Sequence, residues 1–144
     1  MRRGEQGSAL VEVSWLAILL LVPLVYVLLA VFDVQRGAFG VSAASRAAGR
    51  AYALAESDAA GRAQARAAAA VALADQGIPA ERFDLDVTCT PHPHDCLAPG
   101  SVLTVVVRSR VDLPLVPLTL GGGAPSFRVE SVHRVPVGRY VEAR

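Results

Sequence analysis

Residues 13–32 read VSWLAILLLVPLVYVLLAVF, twenty positions with no charge and Ser14 as the one polar interruption. At about 1.5 Å per residue, a helix of that length spans about 30 Å, the thickness of a bilayer's hydrocarbon core. The stretch therefore predicts one membrane-spanning helix. Trp15 and Tyr26 fit such a segment, and Pro23 is tolerated inside it at the cost of a kink. A buried helix of a soluble protein is the first rival, but a chain of 144 residues can hardly surround a helix that is apolar on every side. A cleaved secretory signal is the second. Its apolar region would exceed the usual length of roughly 7–15 residues, and the first small-x-small site, Val41-Ser42-Ala43, comes too late.

On the leading side of this run stand Arg2 and Arg3, which hold a short N-terminus in the cytoplasm and send the bulk of the chain across the cell membrane. The whole chain is 53% hydrophobic with mean hydropathy +0.41, but only 6% aromatic. Its apolar content is thus Ala, Val and Leu, which suit helices, strands and lipid but build a thin core and exclude a large enzyme. Arg2, Arg3 and Glu5 supply the whole net charge of +1, leaving twelve arginines balanced by twelve acids over residues 8–144. A domain without surplus positive charge lacks the electrostatic footprint of nucleic-acid binding, so no nucleic-acid partner is expected.

Glu12 does not fit a plain anchor. An acid at the lip of a spanning helix needs snorkelling or a partner of opposite charge, although it can also simply mark the water boundary. The preceding residues favour a partner. Gly7-Ser8-Ala9-Leu10-Val11-Glu12, leading directly into the apolar run, resembles the class III signal of type IV pilins, in which a prepilin peptidase cuts after a Gly that precedes four small or apolar residues and a Glu. Together with the apolar run and Ala44-Ser45-Arg46-Ala47-Ala48-Gly49-Arg50-Ala51, the pattern looks like the TadE-like proteins, minor pseudopilins of the tight-adherence (Flp) pilus machinery. The likeness is close over about the first 55 residues and architectural beyond. It implies cleavage between Gly7 and Ser8, and a role for Glu12 in neutralising the freed N-terminus of a neighbouring subunit. Val13 stands where major Flp pilins usually carry Tyr, and the 137 residues after the cleavage point far exceed such pilins, which points to a minor or accessory subunit.

Beyond the run, residues 38–74 are nearly half Ala, with Arg46/Arg50 and Arg62/Arg66 at four-residue spacing, a composition that favours helix and sets each Arg pair on one face. The membrane helix is expected to continue into this stretch, with a low-complexity Ala linker as the competing reading. Ser57-Asp58 can cap a second helix, Asp58 stands four residues before Arg62, and Gly77 followed by Pro79 ends the pattern. Gly37, Gly40, Gly49 and Gly61 weaken the helix interior and permit close packing or breaks.

The last third alternates. Phe83, Leu85, Val87 and Cys89 share one face of a first strand, Leu103, Val105, Val107, Ser109 and Val111 of a second, and Phe127, Val129, Ser131, His133 and Val135 of a third. Pro114, Pro117 and Gly121-Gly122-Gly123 between the last two read as an exposed, mobile loop. The expected fold is α+β: a single transmembrane helix running into an Ala-rich helical stretch, packed on a small three-stranded antiparallel sheet. Its organisation is a cytoplasmic leader over 1–7, the transmembrane helix over 8–34, the helical region over 35–77 and a β-rich region over 78–144.

Cys89 and Cys96 enclose Thr90-Pro91-His92-Pro93-His94-Asp95, and outside the cytoplasm such a pair reads first as a disulfide. A zinc site from Cys89, His92, His94 and Cys96 has suitable ligand types but too short and Pro-stiffened a loop to wrap a tetrahedron, and free thiols are the third possibility. His133 lies on an apolar strand face, Asp84 and Asp86 on the opposite face of theirs read as solvated, and the Gly triplet opens no helix, so neither a catalytic constellation nor a phosphate cradle is assembled. No enzyme and no cofactor or metal are expected. The expected partners are the membrane, a prepilin peptidase and other pilin or pseudopilin subunits. The opposing reading is an uncleaved, membrane-anchored extracytoplasmic binding module that uses residues 113–125 as its contact surface.

Overall fold

The computed structural model describes residues 6–112 and 126–138. Helix α1, Gln6–Ala53, is 48 residues long, so it extends about 70 Å as one rod. The expected continuation of the apolar segment into the Ala-rich stretch is borne out. Every residue over 10–25 is exposed, and burial begins only at Gly37. The helix ends where Leu54 and Ala55 make the last turn bonds to the Arg50 and Tyr52 carbonyls. Ser57 then caps α2, Asp58–Ala74, its hydroxyl oxygen accepting from the Ala60 amide at 3.3 Å. At the far end of α2 the Ile78 amide reaches back to the Leu73 carbonyl at 3.0 Å, and Gly77, at φ +75°, supplies the left-handed residue that this stop requires.

The two helices form an antiparallel hairpin held by small side chains. Ala44, Ala48 and Tyr52 from α1 and Ala65, Ala69 and Leu73 from α2 are each fully buried. Gly61 lets α2 lie against the Tyr52 ring, since a Cβ there would stand 3.0–3.1 Å from three ring carbons. The expectation that the helix glycines permit either close packing or breaks resolves toward packing: Gly37, Gly40, Gly49 and Gly61 all lie inside unbroken helix.

The three-stranded sheet is an antiparallel meander in the order β1-β2-β3, with β1 Phe83–Thr90, β2 Val102–Asp112 and β3 Ser126–Pro136. The alternation in the sequence sets the inner face. Phe83 and Cys89, Leu103, Val105, Val107 and Ser109, and Val129 are buried, while Asp84 and Asp86 are exposed on the outer face. Helix α1 lies across β2 and β3. Gly37 packs against Val111 and Val129, the Ser45 and Ser131 hydroxyls meet at 3.0 Å, and Gly49 sits over Val135, His133 and Val105. Helix α2 lies on the β1 side, where the Arg66 guanidinium stacks 5.2 Å above the Phe83 ring. The pole of this head nearest the exposed half of α1 is therefore built from the end of β2 and the starts of β1 and β3. The disulfide loop forms the opposite pole.

Candidate assembly interface

The structure places the sequence-predicted residues at two ends of the molecule. Gly7 and Ser8 belong to the first turn of α1. Glu12 is exposed on the same helix, one turn beyond, and makes no ion pair among the described residues. Cys89 and Cys96 lie beyond the other end of α1; the forty residues from Glu12 to Tyr52 alone carry the helix about 60 Å.

From Val13 to Phe32 the helix surface beyond Glu12 is apolar apart from Ser14. Trp15, Leu16, Leu20 and Phe32 are each more than 60% exposed, values that water would penalise and lipid or partner helices would not. Ser14, the single polar residue of the run, donates to the Leu10 carbonyl at 2.8 Å, so it needs nothing from its surroundings. Pro23 has no amide hydrogen to offer the Leu19 carbonyl, and its ring forms part of a shallow groove of about 270 Å³ with Trp15, Ile18, Leu19 and Val22. The helix is long and apolar enough to cross a membrane.

At the other pole, Cys89 and Cys96 are joined in a disulfide with Cα atoms 5.3 Å apart. Both sulfurs are committed to the bridge, which removes the two thiolates a zinc site would use, and among the described residues no three His, Cys, Asp or Glu side chains are gathered for a metal. His92 and His94 are exposed on the loop.

One connection there was missed in the sequence. Asp58 uses both carboxylate oxygens, one accepting from the Tyr52 hydroxyl at 3.1 Å and the other from the Cys96 amide at 3.2 Å. It thus ties the helix hairpin to the disulfide loop. The four-residue spacing to Arg62 produces no ion pair with it. Burial, reinforced by the hydrogen bond to Asp58, raises the Tyr52 phenol above its ordinary value of 10.0. The only advance signal was a lone Tyr in an Ala-rich helix, a large side chain that had to be accommodated by something.

His133 is half-buried on the inner face of β3, facing Gly49 of α1 and opposite Val105 of β2. The Pro- and Gly-rich segment 113–125, read in sequence as a mobile contact loop, lies outside the described residues. No protein-family model, no curated protein and no solved structure matches the chain.

Proposed function

We propose that the chain is a TadE-like minor pseudopilin, an accessory subunit in assembly of a Flp-type (type IVb) pilus or a related secretion machine. It stands in the cell membrane by one span, with the N-terminus cytoplasmic and the α+β head extracytoplasmic. The observation that carries the reading is the single rod α1, which is bare and apolar where it follows Gly7 and Glu12 and packed into a head where it ends.

That shape suits a subunit that associates through its stem. Apolar helices in lipid gain from packing against one another, and an acid among them is tolerated when a positive charge meets it. Cleavage between Gly7 and Ser8 by a prepilin peptidase creates such a charge, the new ammonium group of Ser8, and the Glu12 carboxylate of a neighbouring subunit is the group that receives it. The chain acts by assembly and holds no cofactor.

Intact-mass measurement of protein from cells with and without the peptidase tests the processing. The expected result is loss of residues 1–7 only where the peptidase is present. Retention in both would favour the uncleaved, membrane-anchored binding module. The Glu12 role is tested by Glu12→Gln, which keeps size and most hydrogen bonding. Processing and membrane insertion should persist while the amount co-purifying with other pilin subunits, normalised to processed protein, collapses. Undiminished co-purification would leave Glu12 as a marker of the water boundary.

A further inference from the structure

The membrane-near pole of the head carries a pair of charges without an ion-pair partner among the described residues. Arg110 on β2 and Arg128 on β3 are direct partners in the antiparallel register, and both are exposed on the outer face. Like charges opposite one another across two strands are destabilising. Two carboxylates of this surface are engaged by other arginines. Glu130 accepts from Arg108 at 2.7 Å, and Asp112 pairs with Arg82. Neither Arg110 nor Arg128 has an ion pair among the described residues.

Both arginines line one open cavity of about 560 Å³, whose other wall includes Glu81 and Asp84. Arg110 also borders a second cleft of about 350 Å³, which runs to Asp33 and Arg36 on α1, immediately after the apolar run. The height of this pole follows from the helix. Gly37, which packs on Val111 and Val129, is five residues past Phe32, so it stands about 7–8 Å beyond the end of the apolar segment. The headgroup layer on each side of a bilayer is about 5–7 Å deep. Arg110 and Arg128, each adjacent in sequence to one of those valines, are therefore held at its outer edge with side chains long enough to enter it.

We infer that Arg110 and Arg128 form a phosphate-binding fork for an anionic phospholipid headgroup, which seats the head directly on the membrane surface. Two guanidinium groups offer planar donors to one phosphate and lose their mutual repulsion when it binds. The inference rests on the membrane-spanning reading of α1 but not on processing or pilus assembly.

The test uses the full chain. Flotation with phosphatidylcholine vesicles first checks the span, and native mass spectrometry in detergent micelles titrated with phosphatidylglycerol then measures the lipid. The double substitution Arg110→Gln, Arg128→Gln should weaken phosphatidylglycerol binding about thirtyfold, taking each arginine at the usual strength of a basic residue near an anionic surface. It should leave thermal stability undiminished, because it removes a repulsion. Arg134→Gln, at the far end of the same strand, should change nothing. Flotation with lipid binding unaltered by the double substitution would overturn the inference and leave the span intact. Displacement of the lipid by millimolar inorganic phosphate would make this a site for the free ion and also overturn it. A chain that does not float removes the span and the inference together.

Discussion

The two halves of α1 use opposite residues for opposite surroundings. Over 10–32 the side chains are mostly large and apolar and nearly all exposed, while over 37–53 the buried positions are chiefly Gly, Ala and Ser, with Val41 and Tyr52 as the bulky exceptions. In a water-soluble helix large apolar residues mark the buried face. Here size marks the half that is long and apolar enough to cross a membrane, and smallness marks the half that meets protein. A bilayer rewards apolar area in any direction, so the stem needs no face. The head has little volume to share among two helices and three strands, so its helices approach through glycine and alanine.

The contrast breaks most sharply if the stem is charged. Leu20→Asp with Val25→Asp should cost about 6–8 kcal/mol of insertion free energy on a translocon scale and release the chain from the carbonate-resistant membrane fraction. Retention in that fraction would mean that the stem does not lie in lipid. Within the head, replacing both Cys89 and Cys96 by Ser should lower unfolding stability by about 2–3 kcal/mol on the chain-entropy view, with membrane retention unchanged. Denaturant titration by circular dichroism, with and without reductant, reads this directly.

The same kind of substitution placed in each half sharpens the comparison. At Gly49 even a Cβ would come 2.7 Å from Val135 and 3.3 Å from the His133 ring, so Gly49→Leu should cost about 1–3 kcal/mol in spite of its better helix propensity. Ala17→Leu, on the exposed stem, should leave the thermal midpoint of the head where it was. Equal effects at the two positions would erase the distinction between the halves.

The smallest effect expected is at Tyr52. Removing its hydroxyl in Tyr52→Phe leaves one Asp58 oxygen without that donor and should cost about 0.5–1.5 kcal/mol. The folded phenol has a raised pKa, so folding favours its protonated form. That contribution is fully present below about pH 10 and is lost as pH climbs through the folded value. A stability profile of the Phe variant that falls as steeply as the parent's above pH 10 would show that Tyr52 is not the group responsible.

Much of this was legible from periodicity. An all-apolar run, an Ala-rich stretch bounded by Ser57-Asp58 and Gly77, and three alternating segments correspond to α1, α2 and β1 to β3, because each signal arises within the element it predicts. The disulfide was legible from the paired Cys count together with the compartment that the apolar run leads one to expect. What stayed hidden depends on distant residues meeting. Asp58 looked like a helix-surface partner for Arg62 because local spacing is all that a sequence displays, whereas its actual partners are fixed by the hairpin turn and by the loop 38 residues away. Arg110 and Arg128 are unremarkable along the chain and become a pair only when β2 and β3 align. Glu12 was legible as an anomaly, and under the proposed function its consequence lies with another molecule.

The unbroken passage of α1 from stem to head has a rotational meaning. Each residue of an α-helix advances about 100° around the axis. No turn or linker separates Phe32 from Gly37, so adding or deleting one residue there would swing the whole sheet by about 100°, a little over a quarter of a revolution, relative to the stem while raising or lowering it by only about 1.5 Å. Residue count in this junction thus acts as an angular setting. In the proposed assembly it would determine which azimuth of the head faces a given neighbour, and a compensating change of three or four residues would nearly restore it at a different height.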